Sequence, residues 1–294
     1  MLPFSDRTVD TQYRDRLRLI LEQGELIGET QQGVGALTYM APPPMHFDLS
    51  NGVPLITERK IPFWKAAVGE LLAFANGVRT QKGLEEFGCS WWDKWLTAEK
   101  CAKRGLEAGD LGPGGYAAMH DFPTAEGNPF NQIKHLVEQI SEKPQLRTHF
   151  VSPWVPQYVG RGKGKKQRVV VAPCHGWMHV RIIPHKGLVL HMFQRSADFP
   201  VGVPANMIQY AAFTLALAHV TGHKPYKFIH SFSDAHIYVD QVEQVKEMLS
   251  REPRRFPTMT LNTDKKDIFA IRSDDFVISD YDPHPGIREI PVAV

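Results

Sequence analysis

The chain has 294 residues, of which 43% are hydrophobic and 22% charged, the balance of an ordinary globular protein; disorder, collagen and coiled coil are excluded. Thirty-four Lys and Arg against 32 Asp and Glu leave a net charge of +2, so no broad basic field exists for nucleic acid and none is expected as a partner. Three cysteines (Cys89, Cys101 and Cys174) make no disulfide framework and fit a reducing compartment. The N-terminus lacks an apolar leader core, and the most apolar run, Met207 to Val220, is interrupted by Gln209, Tyr210 and His219. A cytoplasmic protein without a membrane span is expected.

The elements read as follows in chain order. Thr11 to Gln23 is an amphipathic helix with Tyr13, Leu17, Ile20 and Leu21 on one side and Gly24 as its stop. Gly28 to Phe47 reads as two short strands around Gly33-Val34-Gly35. Pro62 to Asn76 is a helix whose Phe63, Ala67, Leu71 and Phe74 share a face, with Gly77 beyond it. Ser90 to His120 is aromatic and glycine-rich without a period. Asn131 to Ile140 is helical. From Arg168 the pattern turns to β-branched runs (RVVVA, MHVRII, LVLHMF), the last two joined by a PHKG turn. A helix apolar on all sides runs from Pro204 to near Gly222 and belongs in the centre of a core. Asp240 and Glu243 resemble a capping box for a helix ending near Ser250. A strand near Met259 to Leu261 and a proline-rich tail follow. Strands and helices mix without strict alternation, which predicts an α+β fold with one large mixed sheet in a single domain, 1–294. Gly33-Val34-Gly35 lacks the rest of a dinucleotide fingerprint.

Cys174 follows the first of those β-branched runs, in Pro173-Cys174-His175. A cysteine there is either a small buried hydrophobe or, with a cation beside it, a thiolate nucleophile. Gln194-Arg195-Ser196-Ala197-Asp198 puts a guanidinium next to a hydroxyl, suited to phosphate. Asn206, at the start of the buried helix, can donate and accept at once, matching the O4 and N3–H edge of uracil. His236 and Tyr238 alternate on a strand and share a face, where they can hold a sugar hydroxyl.

Further segments extend this set: PLITERK (54–60), GELLAF (69–74), Trp92-Asp93 with Trp95, GDLGP (109–113), PCH (173–175), QRSAD (194–198), VGVPAN (201–206), SDAHIY (233–238) and YDPHPGI (281–287) before a Pro-Val-Ala-Val end. In this order they resemble the folate-dependent thymidylate synthase family over nearly the whole chain. The resemblance implies that fold, a sheet-to-sheet homodimer, and transfer of a one-carbon unit from 5,10-methylenetetrahydrofolate to C5 of dUMP, giving dTMP and dihydrofolate, without a metal. The alternative within the same likeness is 5-hydroxymethylation, in which water replaces hydride at the C5 methylene. By motif, Cys174 is the nucleophile that adds to C6, and Glu70 the general acid/base carboxylate. Arg195 and Ser196 bind phosphate, Asn206 reads uracil, and His236 and Tyr238 meet the ribose. Trp92, Asp198, Gly202 and Val294 meet the folate. Trp91 and Trp95 read as core tryptophans. Arg147 falls where the family sends arginines across the dimer interface to the partner's phosphate.

The sequence departs from the family pattern at four places. Gln31 or Gln32, and Thr148, stand at usual arginine places. At about 1.5–3 kcal/mol per charge-assisted bond, phosphate binding is weakened unless rebuilt. The basic insertion 160–168 is either that replacement or a solvated loop. Tyr116 sits one place later than the family's tyrosine of the C5-proton water network. Ala205 replaces a common aromatic on the folate side, which would leave a wetter pocket.

Overall fold

The computed structural model describes residues 1–293. Helix α1 (Gln12–Gln23) ends at Gly24, and strands β1 (Glu25–Ile27), β2 (Ala36–Met40) and β3 (Met45–Asp48) follow. Helix α2 (Trp64–Ala75) leads to α3 (Gln81–Glu86) and α4 (Ala98–Ala102). The aromatic stretch between 90 and 120 forms only short turns of helix, as its lack of period predicts. Helix α5 (Gln132–Glu142), strand β4 (Phe150–Val151) and the single turn α6 (Pro156–Val159) come next. The remainder is β5 (Trp177–Ile183), β6 (Gly187–Asp198), α7 (Gly202–Val220), β7 (Pro225–Tyr238), α8 (Val242–Ser250), β8 (Thr258–Leu261) and β9 (Phe276–Ser279).

The main sheet runs β1-β2-β7-β6-β5-β4, and β3 pairs with β7 beside β2. It is mixed: β6 and β7 are parallel and the other pairs antiparallel. Parallel neighbours need a crossover, and α7 supplies it. Because α7 packs against the sheet on one side and α2 on the other, no face of it meets water. Its side chains from Met207 to Ala218 are all buried, so it carries no amphipathic stripe. The parallel register sets Ser196 opposite Asp234 and Asp198 opposite His236. Two polar strand ends thus lie side by side.

Three expectations need correction. The valine-rich run 168–172 is not a strand. Its backbone bonds go to loops instead, from Arg168 N–H to the Tyr158 carbonyl and from Val170 N–H to that of Leu111. The first hairpin pairs β1 with β2, so its first strand starts at Glu25, before the expected segment. Asp240 does not cap α8. The reciprocal bonds form earlier, where Tyr238 N–H donates to Gln241 Oε1.

Candidate active site

Cys174 lies in the irregular segment that leads into β5. Gly176 makes the turn possible: its φ is +110°, and a Cβ there would fall 2.2 Å from Met119 Cε. The loop is clamped to β6. Arg195 N–H donates to the Cys174 carbonyl at 2.8 Å. The Arg195 guanidinium donates to the carbonyls of Pro173 (2.8 Å) and Ala172 (3.1 Å), and its Nη2 stands 3.6 Å from Cys174 Sγ. A rigid fork with several donors is what this double task requires. On the other side, Cys174 N–H donates to the Tyr116 hydroxyl at 2.9 Å. Tyr116 is buried, stacked on Phe74 with ring centroids 4.6 Å apart. Desolvation and the neighbouring Cys174 hold its hydroxyl well above the ordinary range, so it is neutral. His175 is buried, meets the Tyr210 hydroxyl at 2.7 Å, and is lowered to about 3 by burial and by Arg195, so its imidazole is neutral too.

Cys174 opens on a cavity of about 730 Å³ that Arg195, Ser196, Asp234, His236 and Tyr238 also line. His236 Nδ1 meets Asp234 Oδ1 at 3.2 Å. Gln31, Gln32, Lys100, Lys103, Arg104 and Arg161 line the same cavity. Arg161 donates to Gln31 Oε1 at 3.1 Å, so the basic segment 160–168 reaches a glutamine expected to stand at a usual arginine place. Among the described residues, Arg161 has no carboxylate within ion-pair distance.

Glu70 is 5% exposed, on the face of α2 that meets α7. Trp91 Nε1 (2.7 Å) and Trp92 Nε1 (2.6 Å) donate to its Oε1, and Gln209 Nε2 (2.5 Å) to its Oε2. Desolvation raises its pKa, and these donors offset part of that rise. Asn206 is joined to Glu70 through Gln209, to which Asn206 Nδ2 donates at 2.8 Å. Glu70 and Asn206 do not line the cavity themselves. Gln194 ties Asn206 to it, donating at 3.0 Å both to Asn206 Oδ1 and to the Ser196 carbonyl.

Asp198 ends β6, just before α7. Burial pushes it up to about 6, against the pull of His236 and the Gln241 amide. Gln241 Nε2 lies 3.3 Å from each Asp198 oxygen and donates to the Pro291 carbonyl at 2.8 Å, which brings the C-terminal segment to this carboxylate. A Cβ on Gly202 would lie 3.8 Å from Asp198 Cβ and 3.9 Å from Asn206 Oδ1.

A family model described as thymidylate synthase matches residues 11–294. The chain belongs to the thymidylate synthase family. Membership makes it a folate-linked one-carbon transferase acting at C5 of a pyrimidine nucleotide. Of the residues expected at a thymidylate synthase site, Cys174, Arg195, Ser196, His236 and Tyr238 meet at the cavity. Glu70, Trp92 and Asn206 join in the buried polar chain, and Asp198 and Gly202 meet at the start of α7. Arg147 is exposed and away from this chain's own cavity, with its carbonyl facing His179 Nε2 at 3.0 Å. Val294 lies outside the described residues. Trp91 is not merely core, because it bonds Glu70. Gln209 was legible in principle: a buried amide on an apolar helix, three residues after Asn206, must find partners. Among the described residues no helix is long and apolar enough to cross a membrane.

Proposed function

We propose that this protein methylates dUMP at C5, with 5,10-methylenetetrahydrofolate as co-substrate, giving dTMP and dihydrofolate. The observation that carries this reading is the meeting of Cys174 and Arg195 at one cavity with Ser196, His236 and Tyr238. C5 of uracil is a weak nucleophile until a thiolate adds to C6 and makes C5 an enolate carbon. Cys174 supplies that sulfur, and Arg195 supplies positive charge beside it while holding the loop. Arg195, Ser196 and Arg161 take the phosphate, and His236 with Tyr238 takes the ribose. Asn206 reads the base. Glu70, desolvated and linked to Asn206 through Gln209, holds and moves a proton at the base's carbonyl edge. Tyr116, fixed against Cys174 N–H, belongs beside the C5 proton.

The residues around Asp198 fit a pterin ring. The carboxylate takes only long 3.3 Å bonds, from Gln241 and from the Val201 N–H, so acceptor capacity remains, and Gly202 leaves room beside it. Asp198 and Gly202 would hold the ring, Trp92 would wall it, and Val294 would close the end. When bound, the folate supplies the one-carbon unit and the hydride. The same reading includes a sheet-to-sheet homodimer in which Arg147 serves the partner's phosphate. Strands β5 and β6 bury Met178, Val180, Leu190 and Met192 on one face, while exposed Phe193 and, on β4, Phe150 are left without cover.

Hydroxymethylation is the second reading, favoured by one observation: small, half-buried Ala205 leaves the folate side of α7 without an aromatic. Incubation with dUMP and methylenetetrahydrofolate, followed by mass identification of both products, separates the two. Thymidylate with dihydrofolate is expected. A 5-hydroxymethyl product with tetrahydrofolate overturns the first reading.

A further inference from the structure

We propose that Gln209 is a positioning residue that locks the Asn206 amide in one orientation and so makes the site read uracil and reject cytosine. This rests on Asn206 as the base reader.

A chain of hydrogen bonds holds the amide. Gln209 is 1% exposed, on a helix whose buried side chains are mostly apolar. A buried amide must use its donors and its acceptor, and which way it faces is set by its neighbours. Both Glu70 oxygens accept, so Gln209 turns its Nε2 toward Glu70. Its Oε1 is then left for Asn206, which must present Nδ2, at 2.8 Å. Asn206 Oδ1 therefore faces the other way, where Gln194 Nε2 donates to it at 3.0 Å. Gln194 Oε1 in turn meets His230 Nε2 at 2.8 Å. His230 thus carries its proton on Nε2, and among the described residues its buried Nδ1 has no partner. Donation runs in one direction from His230 to Glu70.

Turning Asn206 over would set oxygen against oxygen at Gln209 and N–H against N–H at Gln194. In its held orientation Asn206 keeps one N–H and one lone pair to spare. Uracil offers N3–H beside the O4 acceptor; cytosine offers an N3 acceptor beside the N4 amino donor. These are opposite demands on one amide, and an amide that cannot turn serves only one of them.

The test is the ratio of dUMP to dCMP affinity, measured by calorimetry on the full chain. Wild type should prefer dUMP by about 100-fold or more, because rejecting dCMP leaves buried polar groups mismatched. Gln209→Leu, and Gln209→Asn with its shorter amide, should narrow that ratio by about tenfold as Asn206 loses one of the two bonds that fix its orientation. Folded variants with the wild-type ratio would overturn the proposal. Wild type that takes both nucleotides alike would overturn the reading of Asn206 itself, and the lock with it. A readout without substitution is proton exchange at the Asn206 and Gln209 side-chain amides of the wild-type protein. Slow exchange with water is expected, and fast exchange would contradict the lock.

Discussion

The guanidinium of Arg195 stands 3.6 Å from the sulfur of Cys174 and, with its other donors, binds the carbonyls of the two residues just before that cysteine. One side chain on β6 therefore both positions the Cys174 loop and charges its surroundings. Lysine cannot reproduce this, because a single ammonium lacks the planar fork. Arg195→Lys should lower kcat/KM for dUMP by roughly 10- to 100-fold, the equivalent of losing one charge-assisted contact. Steady-state kinetics would reveal this, and an unchanged value would remove Arg195 from the site.

Arg161 and Gln31 both line the cavity, and Arg161 donates to Gln31, the glutamine expected at a usual arginine place. Arg161→Ala should raise KM for dUMP about tenfold, with kcat changed less than about twofold, since a phosphate contact acts equally before and during reaction. Binding of the uncharged nucleoside should not change. An unaltered KM would make the insertion a solvated loop.

Asp198 provides a pH signature. Its pKa in the folded protein is raised from 3.8 to about 6, chiefly by burial. The native state therefore binds the proton more tightly than the unfolded chain. Stability falls as pH rises through that window, from about 4 to about 6. Asp198→Asn, which never ionises, should gain stability relative to wild type across it, by about 1–3 kcal/mol. Urea unfolding of both proteins at pH 4 and pH 7.5 measures the difference. An equal gap at both values would contradict the raised pKa.

What the sequence made legible follows from how local each signal is. Helices α1 and α2 are marked by spacing and by glycine stops, and the β5–β6 hairpin by alternation around its turn. Helix α7 stood out because a helix without a polar face has only one place to go. The run 168–172 misled because β-branched residues fit any buried extended backbone, and its hydrogen bonds are decided by loops about 10 and 60 residues away. Cys174, Arg195, His236 and Tyr238 were read from their motifs, and the register of β6 with β7 brings their neighbours together. Gln241 was not read, and Trp91 was read only as a core tryptophan, since each acts through a partner distant in sequence: Gln241 through Asp198, Trp91 through Glu70.

The sulfur of Cys174 is central to the proposed chemistry, and trapping with 5-fluorodeoxyuridylate and methylenetetrahydrofolate interrogates it directly. Intact-protein mass spectrometry should show a covalent complex of the wild-type chain with nucleotide and folate, absent in Cys174→Ala. A wild-type chain that turns over dUMP yet never gains that mass would contradict the proposed chemistry.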